Sequence, residues 1–143
     1  MKKIVISGAH SNVGKSGLAE RLSSILQNSV HIKIGHGRVK KGGSNLFYSE
    51  GTSFERIADE NSDREYLIIE SNRILREVTP DLAIFLTGGS PKPTAIEAKR
   101  KADIIRGEAV SRGKVDNIAM RLGLGRKVVL EIIRLAGAFE EEE

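Results

Sequence analysis

Glycine, lysine and serine stand together near the start of the chain in an arrangement suited to binding phosphate. Residues 7–16 read SGAHSNVGKS and directly follow the apolar run at residues 4–6. A glycine-bearing turn between a strand and a helix directs backbone N–H groups, and the positive end of the helix, at one point where an anion binds. Lys15 is then expected to reach the β- and γ-phosphates of a nucleotide, and Ser16 to place its hydroxyl on Mg²⁺.

The whole segment is predicted to contact the nucleotide. Its predicted binding residues are Gly8, His10, Ser11, Asn12, Val13, Gly14, Lys15, Ser16 and Gly17. Gly8 and Gly14 enclose five residues, one more than in the common Walker A pattern. The alternative is an ordinary glycine-rich turn with an exposed lysine, but this does not explain why all three residue types coincide at a helix start.

A carboxylate is predicted to complete the site from another strand. Residues 65–72 are mostly apolar and carry Glu70 near their end. In P-loop proteins the strand beside the phosphate loop ends in an acidic residue that holds Mg²⁺ or its water. We therefore predict Ser16 and Glu70 as metal-binding residues, and Lys15 and Glu70 as catalytic residues. The alternative for Glu70 is a structural role as a helix cap or salt-bridge partner.

A long basic, glycine-rich stretch follows the second predicted strand. We predict that Lys33, Arg38, Lys40 and Lys41 bind phosphates of the nucleotide or of a second, anionic substrate. Long loops in compact domains are usually functional or disordered. The alternative is a solvated, disordered loop.

Composition narrows the class of protein. The chain has 143 residues, a formal charge of +4 and no cysteine, which excludes disulfides, thiolate nucleophiles and cysteine-based zinc sites. Aromatic residues make up 4% with no tryptophan, which disfavours a base-stacking platform for single-stranded nucleic acid. No stretch approaches the roughly 20 apolar residues of a membrane span, and the first residues do not resemble a signal peptide. A soluble, cytoplasmic protein is expected.

Strands and helices alternate along most of the chain. Strands are predicted at 2–7, 30–34, 65–72, 82–87 and 102–106, with a short extended piece at 45–49; helices are predicted at 15–27, 52–58, 74–78 and 95–101. Such alternation predicts an α/β protein with right-handed crossovers. We expect the three-layer P-loop NTPase fold, with a mainly parallel sheet.

The last part of the chain has a different pattern. Apolar residues at helical spacing on both sides of Gly123-Leu124-Gly125 predict a helical hairpin with the outline of a helix-turn-helix. It could bind DNA, form a dimer, or pack on the sheet. Only Arg126 and Lys127 stand where base-reading side chains are expected, so DNA binding is not favoured. We predict a nucleotide-binding domain at 1–108, a helix pair at 109–139 and an acidic tail at 140–143.

The phosphate loop resembles one branch of P-loop proteins. Its five-residue spacing is similar to that of dethiobiotin synthetases and cobyrinic acid amidating enzymes, although His10 stands where many members have a signature lysine. Together with residues 32–37, 68–70 and 80–85, it resembles the molybdopterin-guanine dinucleotide biosynthesis protein B (MobB) group in order and spacing. The resemblance covers about residues 1–108. It implies a P-loop NTPase that is accessory to molybdenum cofactor biosynthesis.

Three functions are consistent with these patterns. The first is a MobB-like protein that binds ATP or GTP with Mg²⁺ and hydrolyses it slowly. The second is a small kinase or ligase acting on an anionic metabolite, and the third is a regulator in which nucleotide binding controls the C-terminal helices. The sequence leaves the choice between ATP and GTP, and the existence of a homodimer, open.

Overall fold

The molecule is a three-layer α/β structure, as predicted. The computed structural model describes residues 1–10, 13–35, 46–89 and 93–142. Among these residues, six strands form one parallel sheet: β1 (Lys2–Gly8), β2 (Ser29–Gly35), β3 (Leu46–Ser49), β4 (Tyr66–Glu70), β5 (Leu82–Leu86) and β6 (Ile104–Ile105). Their order across the sheet is β3-β2-β4-β1-β5-β6. Because β1 lies in the interior of this sheet, it is apolar on both faces.

Within the described ranges, five helices and one short 3₁₀ turn cover the sheet. The helices are α1 (Lys15–Ile25), α2 (Phe54–Glu60), α3 (Pro93–Lys101), α4 (Arg112–Leu122) and α5 (Arg126–Leu135), and the 3₁₀ turn is Arg73–Arg76. Two further short strands, β7 (Ala109–Val110) and β8 (Phe139–Glu140), pair in parallel beside the main sheet. Neither of these strands is indicated by the sequence pattern, since two residues are too few for a periodic signal.

Alternation along each strand divides the interior into two cores. Ile4 and Ile6 face one side, where α1, α4 and α5 pack on the sheet. Val5 faces the other side, where α2, α3 and the 3₁₀ turn pack. Each face of a central strand is therefore sealed by helices, which confirms the predicted layered arrangement.

The C-terminal helices use their apolar faces to cover the sheet. Val115 and Ile118 of α4, with Ile132 of α5, are fully buried in the same core as the β1 side chains. At the start of α5, Arg126 donates to Asp116 over 2.7 Å and also pairs with Glu140 in β8. Packing on the sheet, one of the alternatives for this hairpin, is thus what the structure shows.

Some element boundaries differ from the sequence prediction for local reasons. The first helix ends at Ile25 instead of residue 27, shortly before Asn28, whose φ of 55° lies in the left-handed region. The helix expected at 74–78 is the 3₁₀ turn, and the last strand of the main sheet spans only two residues. Within the described residues, no helix is long and apolar enough to cross a membrane.

Candidate phosphate-binding site

Sheet topology brings the predicted phosphate loop and the predicted acid together. Strands β1 and β4 are parallel neighbours, and Ile6 is paired in register with Glu70. The loop that follows Gly8 and the carboxylate that ends β4 therefore lie at the same carboxyl edge of the sheet. This edge is where open α/β sheets bind ligands.

The start of the loop is held by a side chain from the neighbouring strand end. Asn72 accepts from the Gly8 N–H over 3.0 Å and donates to the Gly8 carbonyl over 2.9 Å. A Cβ added at Gly8 would lie 2.4 Å from Cγ2 of the buried Val13. Glycine is thus required at this position, because the loop folds back tightly over the strand end.

The end of the loop opens directly into α1. Gly14 is the N-cap, with φ 99° in the left-handed region, and its lack of a side chain means that it makes no side-chain cap. Lys15, Ser16 and Gly17 form the first turn of the helix. The N–H groups of a first helical turn have no partner within the helix, and their partial positive charge favours an anion.

Glu70 connects this first turn to a buried histidine on the next strand. Its Oε1 accepts from the Ser16 hydroxyl over 2.9 Å, and its Oε2 contacts Nε2 of His31. His31 is 4% exposed and Glu70 is 3% exposed, so the pair is nearly removed from water. Lys33, two residues beyond His31 on β2, is in register with Glu70. These contacts hold both carboxylate oxygens in fixed positions beside Ser16.

The environment of Glu70 favours its ionised form. Burial alone would raise the pKa of this carboxyl group, but hydrogen bonds from His31 and Ser16, aided by the charges of His31 and Lys33, lower its pKa below the usual 4.5. A carboxylate that stays ionised beside a hydroxyl is the form that can accept from metal-bound water.

This lowered pKa predicts an acid-dependent loss of stability. A group with a lower pKa in the folded state stabilises the fold above its unfolded pKa, and this contribution is lost as the pH falls through the folded value. The free energy of unfolding, measured with urea between pH 7 and pH 3, should therefore fall more steeply with acid for the native protein than for Glu70→Gln. The same acid decline in both proteins would contradict the role assigned to this carboxylate.

A cavity of about 680 Å³ adjoins the loop. Its lining includes Gly8, His10, Lys15 and Glu70, and it extends to Lys33 and Arg73. Arg73 is held by Glu50, with Nε 3.0 Å from Oε1. The cavity therefore continues past the loop into a region that is lined by the cationic side chains of Lys33, from β2, and Arg73, from the 3₁₀ turn.

The predicted binding residues that the structure describes lie in different surroundings. Gly8, His10, Lys15 and Glu70 line the cavity, and Ser16 contacts Glu70, whereas the side chain of Val13 is buried in the core. The loop after β5 lies against His10, since a Cβ added at Gly89 would be 2.5 Å from its Cδ2. The predictions for Ser11, Asn12, Arg38, Lys40 and Lys41 concern residues outside the described ranges.

Three residues that contact the loop or the acid are missing from the sequence predictions. His31 contacts Glu70, Asn72 contacts Gly8, and Arg106 donates to the Val13 carbonyl over 2.7 Å. Asn72 and Arg106 each stand just after a strand that ends at the ligand edge, and His31 stands between two apolar residues in β2. These positions are visible in the sequence, but which residues the three side chains contact depends on the order of the strands in the sheet.

The chain matches no family model, no curated protein and no solved structure. The described residues contain no cluster of three or more His, Cys, Asp or Glu that could hold a metal unaided. A hydroxyl and a carboxylate, Ser16 and Glu70, fit Mg²⁺ that is bound mainly by phosphate oxygens and water.

Proposed function

We propose that this protein binds ATP or GTP with Mg²⁺ and hydrolyses the terminal phosphate slowly. The observation that carries the proposal is the hydrogen bond from Ser16 to Glu70 at the first turn of α1. This bond links the hydroxyl that we expect to bind Mg²⁺ to the carboxylate that we expect to accept from a water on Mg²⁺. The two residues are 54 positions apart in the chain, and only the parallel pairing of β1 with β4 brings them together.

Each residue has a separate role in this proposal. Backbone N–H groups between Val13 and Gly17 bind the phosphates, and the Lys15 ammonium offsets charge on the β- and γ-phosphates. Ser16 would provide one metal ligand, and Glu70 would accept a hydrogen bond from a water on the metal. Bound Mg²⁺ would supply charge neutralisation at the phosphates.

His31 supports Glu70 in this account. Its ring nitrogen contacts Oε2 of the carboxylate, and Ser16 contacts Oε1, so the carboxylate is held from both sides. A carboxylate fixed before the ligand arrives loses less conformational entropy on binding than a mobile one. His31 is therefore a positioning residue and does not itself touch the nucleotide.

The pathway part of the proposal comes from the sequence. The loop spacing and the three later segments resemble the MobB group over about residues 1–108. On this basis the protein would be an accessory in molybdenum cofactor biosynthesis. The site geometry is equally compatible with another pathway that uses a Mg²⁺-nucleotide.

Binding of hydrolysis-resistant nucleotides tests the proposed function. Isothermal titration with AMP-PNP and GMP-PNP, each with Mg²⁺, should show saturable binding of at least one analogue with one site per chain. Release of inorganic phosphate from the corresponding triphosphate should then be detectable. A folded protein that binds neither analogue would contradict the proposal.

A second candidate function is a small kinase or ligase. The cavity favours it, because the lining continues beyond Lys15 to Lys33 and Arg73, where an anionic acceptor would lie beside the terminal phosphate. Turnover that depends on an added carboxylated or phosphorylated metabolite would select this function. Turnover by the protein alone would select the first.

A nucleotide-controlled regulator is the third candidate. Burial of the apolar faces of α4 and α5 against the sheet leaves less of this hairpin for DNA or a second copy. Arg126, one of two residues placed to read bases, is already paired with Asp116 and Glu140. The structure therefore offers this candidate less support than the other two.

A further inference from the structure

Arg106 joins the phosphate loop to the neighbouring strand ends. It follows β6, and its Nη1 donates to the Val13 carbonyl over 2.7 Å. Its Nη2 contacts the Thr87 carbonyl after β5, and its own carbonyl accepts from the Thr87 hydroxyl over 3.2 Å. The half-buried guanidinium thus binds two backbone carbonyls that are 74 residues apart in the chain. A planar guanidinium with several donors in fixed directions can bind both carbonyls at once, whereas the ammonium of a lysine cannot reproduce this two-pronged geometry.

The chain after α5 lies against the stem of this arginine. Gly137 accepts from the Gly107 N–H over 2.9 Å, next to Arg106. A Cβ added at Gly137 would lie 2.9 Å from Cγ and 3.2 Å from Cδ of Arg106. The arginine therefore lies between the C-terminal segment and the phosphate loop, in contact with both.

The contact with Val13 determines how one peptide group of the loop is turned. In a trans peptide the carbonyl and the following N–H point in opposite directions. When Arg106 holds the Val13 carbonyl, the Gly14 N–H must point away from the guanidinium. An anion-binding loop requires N–H groups, not carbonyl oxygens, to face the phosphate. Gly14, at φ 99°, has the backbone freedom that would allow this peptide to turn over.

We propose that Arg106 is a positioning residue for the phosphate loop, and that the C-terminal segment acts on nucleotide binding through it. This inference rests on the proposed nucleotide-binding function. Arg106 holds the Val13–Gly14 peptide with its N–H available to phosphate, and Gly137 keeps the arginine stem in place. The segment after α5 thereby acts on the nucleotide site through Arg106.

Replacing the arginine tests the first half of the proposal. The test uses the Mg²⁺-nucleotide analogue that the native protein binds. Arg106→Gln should raise its Kd on the order of tenfold to a hundredfold, which is the range for losing a charge-assisted contact. Arg121→Gln is the matched control, because Arg121 is also half-buried and donates over 3.1 Å to Asp103, away from the loop. It should lower thermal stability but leave nucleotide affinity unchanged.

Amide NMR distinguishes positioning from general destabilisation. At saturating nucleotide the Gly14 amide proton should shift strongly downfield in the native protein and in Arg121→Gln, because it donates to phosphate. In Arg106→Gln this shift should be lost or much reduced, even at saturation. A Gly14 amide that responds identically in all three proteins would overturn the positioning role.

A pair of glycine variants tests the link to the C-terminal segment. Gly137→Ala and Gly123→Ala both place a side chain at positive φ, 79° and 66°, but only the first meets Arg106, since nothing lies within 4 Å of Gly123. Both should lose thermal stability, and only Gly137→Ala should weaken nucleotide binding. Equal nucleotide affinities in the two variants would overturn the link.

The outcomes separate this inference from the proposed function. If the native protein binds neither analogue, the proposed function fails and the inference fails with it. If the native protein binds nucleotide and Arg106→Gln binds it equally well, only the inference fails.

Discussion

Lys15→Ala is expected to weaken Mg²⁺-nucleotide binding by about 3 kcal/mol, on the order of a hundredfold in Kd. Lys15 is the first residue of α1 and lines the cavity with Gly8 and Glu70. In the proposed function its ammonium lies within reach of the β- and γ-phosphates. Removing it leaves phosphate charge without its main partner.

The fold should tolerate this change, because Lys15 belongs to neither hydrophobic core. Lys127→Ala is a matched control, since Lys127 also lies in the first turn of a helix whose N-cap is glycine. Isothermal titration should show a large loss of nucleotide affinity for Lys15→Ala and none for Lys127→Ala. The two variants should have similar melting temperatures. Unchanged affinity in folded Lys15→Ala would show that the loop is a structural turn.

Glu70→Gln is expected to weaken nucleotide binding only when Mg²⁺ is present. Loss of an outer carboxylate that orients metal-bound water costs on the order of 10- to 100-fold in metal affinity or activity. Without Mg²⁺, the substitution removes a negative charge near the phosphates, so the affinity should stay the same or rise. Titrations with Mg²⁺ and with EDTA, together with phosphate release, measure both effects.

Glu50→Gln provides the control for this experiment. Glu50 lines the same cavity and pairs with Arg73 over 3.0 Å. Its replacement removes the same charge without touching the Ser16–Glu70 contact, so a Mg²⁺-dependent loss is not expected. An equal loss for Glu70→Gln with and without the metal would make Glu70 a structural partner of His31 and no more.

The fold was largely predictable because its signals are local and strong. The apolar strands that became β1, β4 and β5 are nearly continuous runs, which is typical of strands covered on both faces. The alternation of strands with helices then leaves few arrangements. The short β7 and β8 pair carries no such signal, and it forms only because the chain after α5 returns beside residues 109–110.

The residues of the candidate site can be picked out where they are contiguous in sequence, and less readily where the fold brings them together. Glu70 could be chosen because it ends an apolar strand, but that strand had to be β1's neighbour for the choice to matter. His31 comes from β2, on the far side of β4, and Arg106 comes from the opposite side of β1. Their partners follow from strand order, which neither composition nor periodicity encodes.

The most direct test of the account is a crystal structure of the protein with Mg²⁺ and the nucleotide analogue that it binds. The phosphates should lie on the backbone N–H groups between Val13 and Gly17, with Lys15 on the β- and γ-phosphates. Mg²⁺ should lie about 2.1 Å from the Ser16 hydroxyl oxygen, with Glu70 hydrogen-bonded to one of its waters. A nucleotide bound elsewhere, or one whose phosphates do not contact the loop, would contradict the central claim.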